Sequence, residues 1–171
     1  MRTLLDLIYR AMAWLSMLGM AAAFAVVALG VLARQMDWDV PGLDGYAGYA
    51  IAAALFLALP ATFQRNEHIR VTLLMEKASM RWRGVLQVWS LLSASALCAF
   101  LAWYCVRMVW MSYTTHDISQ SMDATPLWIP QLTMAVGATG LALACVDATL
   151  SHLLGRPFFQ HAPAGEAARV E

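Results

Sequence analysis

Charge is scarce in this chain. Asp, Glu, Lys and Arg make up 13% of its 171 residues, against roughly 25% in a soluble domain. Eleven bases balance eleven acids, so no basic surplus points to a nucleic-acid partner. Cysteine is nearly absent too. Cys98, Cys105 and Cys145 are all there is, each inside an apolar run. An odd count with no CxxC and no Cys/His ligand spacing excludes a closed disulfide framework and a dithiol-exchange site. The three read as small buried apolar residues. The four histidines, His68, His116, His152 and His161, fall in loops or at the ends of expected elements, where they do not ligate a haem between helices. No phosphate loop, nucleophile elbow or metal motif occurs. Glu67-His68 is an acid/base couple on paper, but a single such pair in a polar loop is far more often structural. Catalytic, cofactor and metal residues are therefore expected to be none.

What is present is apolar length. Hydrophobic residues make up 61% of the chain, and they gather in four runs. Residues 11–33 carry no charge over 23 positions, which at about 1.5 Å per residue spans the ~30 Å hydrocarbon core of a bilayer. This is too long for a cleaved signal sequence, whose apolar region is about 7–15 residues. Arg2, Asp6 and Arg10 precede it at i, i+4, i+8. They predict a short surface lead-in with charges paired along one face. Residues 45–64 form a second span, with Gly45, Gly48, Ala52 and Ala53 as small contact residues and Pro60 near its end. A third covers 84–106, ending at Arg107, and its helix continues to about Thr115. Trp103, Tyr104, Trp110 and Tyr113 serve as an interfacial belt, and Arg107 is expected to snorkel from the edge. A fourth span covers 124–146, where Gly140, Ala144 and Ala148 recur every four residues and suit close helix contact. No ionisable group is expected near the centre of any span, unlike in an ion carrier.

The charged stretch 65–83, RNEHIRVTLLMEKASMRWR, sits between spans two and three. Arg70, Lys77 and Arg81 share one helical face, which predicts an amphipathic helix lying in the interface, beside the alternative of an ordinary polar loop and the first turns of span three. Arg65, His68, Arg70, Lys77, Arg81 and Trp82 are the candidate lipid- or partner-contacting residues on this side. Nine bases fall in this segment and the terminal segments, and only Arg34 and Arg107 fall elsewhere. Lys and Arg are retained in the cytoplasm, so both termini and the basic helix are expected inside. The fold class follows: an all-α membrane protein of four transmembrane helices, one domain over residues 1–160 with a polar tail over 161–171.

The outer loops complete the pattern. Trp38 and Asp44 precede span two. Arg65-Asn66-Glu67-His68-Ile69-Arg70-Val71 follows it. A Ser-rich loop and Pro126-Leu127-Trp128-Ile129-Pro130 lead into span four. Together these resemble the small integral-membrane subunit, the DctQ-type component, of tripartite ATP-independent periplasmic (TRAP) transporters, over about residues 11–150. Two positions depart from the family pattern: Gly45 stands where a second acid is common, and Asn66 where a glycine is common.

The resemblance implies a secondary, ion-coupled importer of organic-acid-type solutes in the bacterial inner membrane. The partners it implies are a large multi-span permease subunit, which holds the solute and the coupling ion, usually sodium, and a periplasmic solute-binding protein. The small subunit would brace the permease and help dock the binding protein. Asp44, Asp117, Asp123 and Trp128 are the docking candidates, beside the alternative that the acids are simply solvated. A different class also stands at this point: a stand-alone four-span membrane enzyme or redox subunit, which a bound chromophore or cofactor would reveal.

Overall fold

The computed structural model describes residues 2–38, 40–65, 80–120, 122 and 124–155. It contains four long helices: α1 (Arg2–Gln35), α2 (Leu43–Gln64), α3 (Met80–Thr115) and α4 (Trp128–Leu153). All four are long and apolar enough to cross a membrane. Short connections join α1 to α2 and α3 to α4 at one end of the bundle, the short-loop end. The N-terminus and the ends of α2 and α4 lie at the other, the terminal end.

The boundaries differ from the sequence reading in informative ways. α1 is one continuous helix of 34 residues, so no separate surface lead-in precedes the span. Tyr9 and Met12, in its first turns, are among the best buried side chains. Nor does Asp6 pair with Arg10. Its carboxylate accepts a 2.8 Å hydrogen bond from the Gln64 amide, which ties the terminal ends of α1 and α2 together. α3 begins at Met80, so residues 80–83 form its first turn. α4 begins at Trp128 rather than 124, after a loop pinned by Ser119 N–H to Thr125 O and Leu127 N–H to Asp117 O. Pro130 then falls in the first turn, where a missing amide costs no helical bond.

The helices pack in the order α1–α2–α4–α3, with α4 in the middle. α4 earns that place by smallness. Ala135, Gly137, Ala138, Gly140, Ala144 and Ala148 are all buried. In lipid no hydrophobic force joins helices, so close van der Waals approach of backbones takes its place. The closest approach is Gly137 to α2. A Cβ there would stand 2.6 Å from the carbonyl carbon of Phe56 and 2.7 Å from its Cβ. Pro60 explains why that carbonyl is available: it lies four residues on, lacks an amide, and leaves the Phe56 oxygen without its helical donor. The Cα–H of Gly137 faces this oxygen, a weak contact that recurs between close helices. Gly140 meets the ring of Pro60 and the end of Met12. On the other side, Gly19 and Ser16 of α1 close onto Ala54, whose carbonyl accepts from Ser16 Oγ at 2.7 Å. The expected contact residue Gly48 has open space around it; Ala47, Ala54, Leu57 and Pro60 line the seams of α2 instead.

α3 lies lower against α4 than its charge-free window suggests. Tyr113 meets Trp128 edge to face at 5.7 Å. Ala102 and Cys105 pack with Ala135 and Ala138. The sulfurs of Cys98 and Cys145 are 3.6 Å apart, and Ser95 and Thr149 share a 2.9 Å hydrogen bond. The part of α3 beside α4 thus runs from about Leu91 to Tyr113. Arg107 is six residues before Tyr113, about 9 Å deeper along the axis. It stands within a turn of the level where Gly137 meets Phe56. The candidate span runs on to Thr115, so Arg107 lies eight residues inside its C-terminal end rather than just beyond it.

Gly137→Ala should lower the unfolding free energy by about 2 kcal/mol or more, the range for overpacking against atoms that cannot move aside. Gly140→Ala should cost less, because the flexible end of Met12 can yield, and Gly48→Ala should be neutral. Thermal unfolding of the three variants in one detergent checks this order.

Candidate functional site: the bundle seams and its two polar ends

Two ends and one open face carry the features that a partner would read. At the short-loop end, Gly42 with φ 84° makes the turn before α2. It delivers Asp44 into the first turn, where an acid complements the helix dipole. Asp44 is 3.8 Å from Arg34, but the two side chains are 99% and 76% exposed, so the pair adds little stability. Asp117 is exposed just beyond α3. Trp128 is half-buried, its ring against Tyr113. The topology thus brings Asp44, Asp117 and Trp128 to one end, while Asp123 lies outside the described residues. Of the residues expected at the opposite end, Arg65 caps α2 and is exposed. Arg81 and Trp82 lie in the first turn of α3. His68, Arg70 and Lys77 lie outside the described residues.

The terminal end also holds a joint of all four helices that the sequence reading missed. Tyr9 of α1 is 1% exposed, packed with Leu91 of α3 and Ala144 and Ala148 of α4, with Phe63 of α2 against the cluster. Its hydroxyl has no hydrogen-bond partner among the described residues. The only sequence signal was a lone tyrosine in a segment read as a surface lead-in. Its burial depends on α1 starting early enough to reach the other three helices.

Along the membrane-facing side, α1, α3 and α4 frame an apolar groove of about 610 Å³. Met12, Val109, Trp110, Trp128, Leu132 and Val136 are among its walls. Large apolar side chains also point outward over most of the surface, among them Trp14, Phe24, Trp89 and Trp103, each more than 60% exposed. Small residues face inward and large ones outward, the reverse of a soluble bundle.

Comparison with known families decides what this arrangement belongs to. The DctQ component of tripartite ATP-independent periplasmic transporters matches residues 23–155. The chain belongs to the DctQ family. It is thus a multi-pass membrane protein and the small permease component of a TRAP transporter, a transporter part rather than a member of an enzyme family. No match was found among curated proteins. The DctQ match covers all of α2, α3 and α4, together with the C-terminal part of α1 from residue 23. It therefore contains the Phe56–Gly137 and Cys98–Cys145 seams, whereas Gly19 and Ser16 of the α1–α2 seam precede it.

Because the Tyr9 hydroxyl is buried without a partner, Tyr9→Phe should leave stability unchanged or slightly raised. Tyr9→Ala should cost about 3–5 kcal/mol, as for other buried aromatic truncations. Denaturation of both variants in detergent micelles checks the contrast; a clear loss in Tyr9→Phe would mean that the hydroxyl has a partner.

Proposed function

We propose that this chain is the static scaffold subunit of an ion-coupled TRAP importer for organic-acid-type solutes, held in the bacterial inner membrane. In this reading it is not a catalyst and binds no cofactor. It braces the large permease subunit, which carries the solute and the coupling ion. The observation that carries the reading is the DctQ match across 23–155, joined to a bundle closed by backbone-to-backbone contacts at Gly19 and Gly137. Such contacts leave few side-chain rotamers to rearrange, so the bundle resists the sliding that a moving transport element needs.

In the same reading, both termini face the cytoplasm, as the excess of Lys and Arg at the terminal end favours. The basic residues Arg65, Arg70, Lys77 and Arg81, with His68 and Trp82, then meet anionic headgroups or the permease. Each base is worth about 1 kcal/mol near an anionic leaflet. Asp44, Asp117, Asp123 and Trp128 face the periplasm, where they meet the solute-binding protein.

Purification of the tagged chain from its native membrane in mild detergent, with mass spectrometry of the co-purifying proteins, tests the core of this proposal. A large multi-span permease is the expected companion; recovery of the chain alone as a stable species counts against it. The triple variant Arg70→Ala, Lys77→Ala, Arg81→Ala should reduce the yield of complex and solute uptake in whole cells. Unchanged yield and uptake would remove the anchoring role from these three bases.

A further inference from the structure

Arg107 is exposed on an apolar stretch of α3, eight residues inside the end of its candidate membrane span. It makes no hydrogen bond or ion pair among the described residues. By the packing register it stands about 9 Å inside the Tyr113–Trp128 level. Its neighbours on the helix surface, one turn either way, are Trp103, Tyr104, Trp110 and Met111, all exposed and apolar or aromatic. A cation facing hydrocarbon at such depth costs at least about 2.5 kcal/mol even on the most lenient scale, and arginines inside membranes are normally paired.

Snorkelling does not remove this cost. The nearer end of the helix is its C-terminal one, at Thr115. Every Cα–Cβ bond in a helix tilts toward its N-terminus. The side chain of Arg107 therefore sets out away from that nearer end. This argument is independent of which side is cytoplasmic. The groove beside it strengthens the case for a protein companion. Trp110 is both a wall of that groove and the neighbour of Arg107 at i+3, so a helix seated in the groove passes close to the guanidinium.

We infer that Arg107 is paired in the assembled transporter, and that its partner is a carboxylate on a transmembrane helix of another subunit, packed along the groove edge of α3. This rests on the reading of the chain as the small subunit beside a larger membrane partner. The guanidinium presents a planar fork of donors that matches a carboxylate bidentately. The pair fixes the depth and rotation at which the two subunits meet, while the apolar groove supplies the contact area. Breaking one side of such a buried pair is costly because it leaves the other charge unpaired.

The test is co-purification of the complex in mild detergent with wild type, Arg107→Lys, Arg107→Leu and Arg107→Glu. Wild type should recover the multi-span partner, R107K most of it, R107L about tenfold less and R107E none. The yield and unfolding temperature of the chain itself should hold, because Arg107 makes no hydrogen bond or ion pair with another described residue. Undiminished recovery with R107E, while wild type brings the partner down, overturns the pairing and leaves the subunit reading intact. Failure of wild type to recover any partner overturns the subunit reading itself. Loss of bound phospholipid in R107E with the partner retained assigns the cation to lipid and overturns the inference. The same holds if Asp123→Asn reproduces the loss, since the acceptor would then lie within this chain. Should R107E fail to insert, a benzophenone photocrosslinker replacing Trp103, one turn away, gives a second reading. Crosslinks to the partner subunit support the inference, and crosslinks to lipid alone overturn it.

Discussion

The distance between α4 and α2 at Gly137 sets most of what is seen elsewhere. The Phe56 carbonyl is released from its helical bond by Pro60 and is covered by a residue with no side chain. That contact draws Pro60 onto Gly140 and brings Met12 of α1 to the same place. With α2 held this close, α1 reaches Ala54 through Gly19 and Ser16, and its first turns carry Tyr9 into the joint of the four helices. A larger residue at position 137 would separate the helices at the point from which the other seams take their spacing.

The four helices were legible because their signal is length of apolar sequence, which survives any detail of packing. The seam on α4 was legible for a related reason: Gly140, Ala144 and Ala148 repeat at helical spacing, and all three are buried. The seam on α2 was misread. Gly48 lacks a side chain and looks like a contact residue, yet it faces open space. Which face of an apolar helix turns inward depends on its neighbours, and an all-apolar helix carries no polar stripe to mark the outside. The depth of α3 was misread for the same kind of reason. A window cut at the first charge assumes that the charge lies at the membrane surface, whereas Cys105, Ala135 and Ala138 place Arg107 deeper. The residues proposed for lipid and docking contact were chosen by charge and side. The described ones, Arg65, Asp44, Asp117 and Trp128, fall at the two ends that the topology dictates.

The inverted distribution of side-chain size connects this fold to its family. Small residues inside bury little area each, so the bundle gains stability from closeness rather than from volume. The same residues have few or no rotamers to lose, which lowers the entropy cost of ordering the interior. Large residues outside, such as Trp14, Trp89 and Trp103, meet either lipid or protein without penalty in a membrane. The molecule therefore presents broad apolar faces on a narrow, closely held frame, a form suited to standing beside a larger membrane protein.

Apolar faces alone do not say where a neighbour sits, because lipid tails compete for them on nearly equal terms. A buried charge does. Polar groups within a membrane bring specificity of register, since every misaligned arrangement leaves a charge without its partner. Arg107 is a described residue whose position within the span, exposure and lack of a partner make such a demand. The tight seams and the lone cation then divide the work of assembly: Gly137 and Gly140 hold the frame in one shape, and Arg107 dictates where along that frame another helix comes to rest.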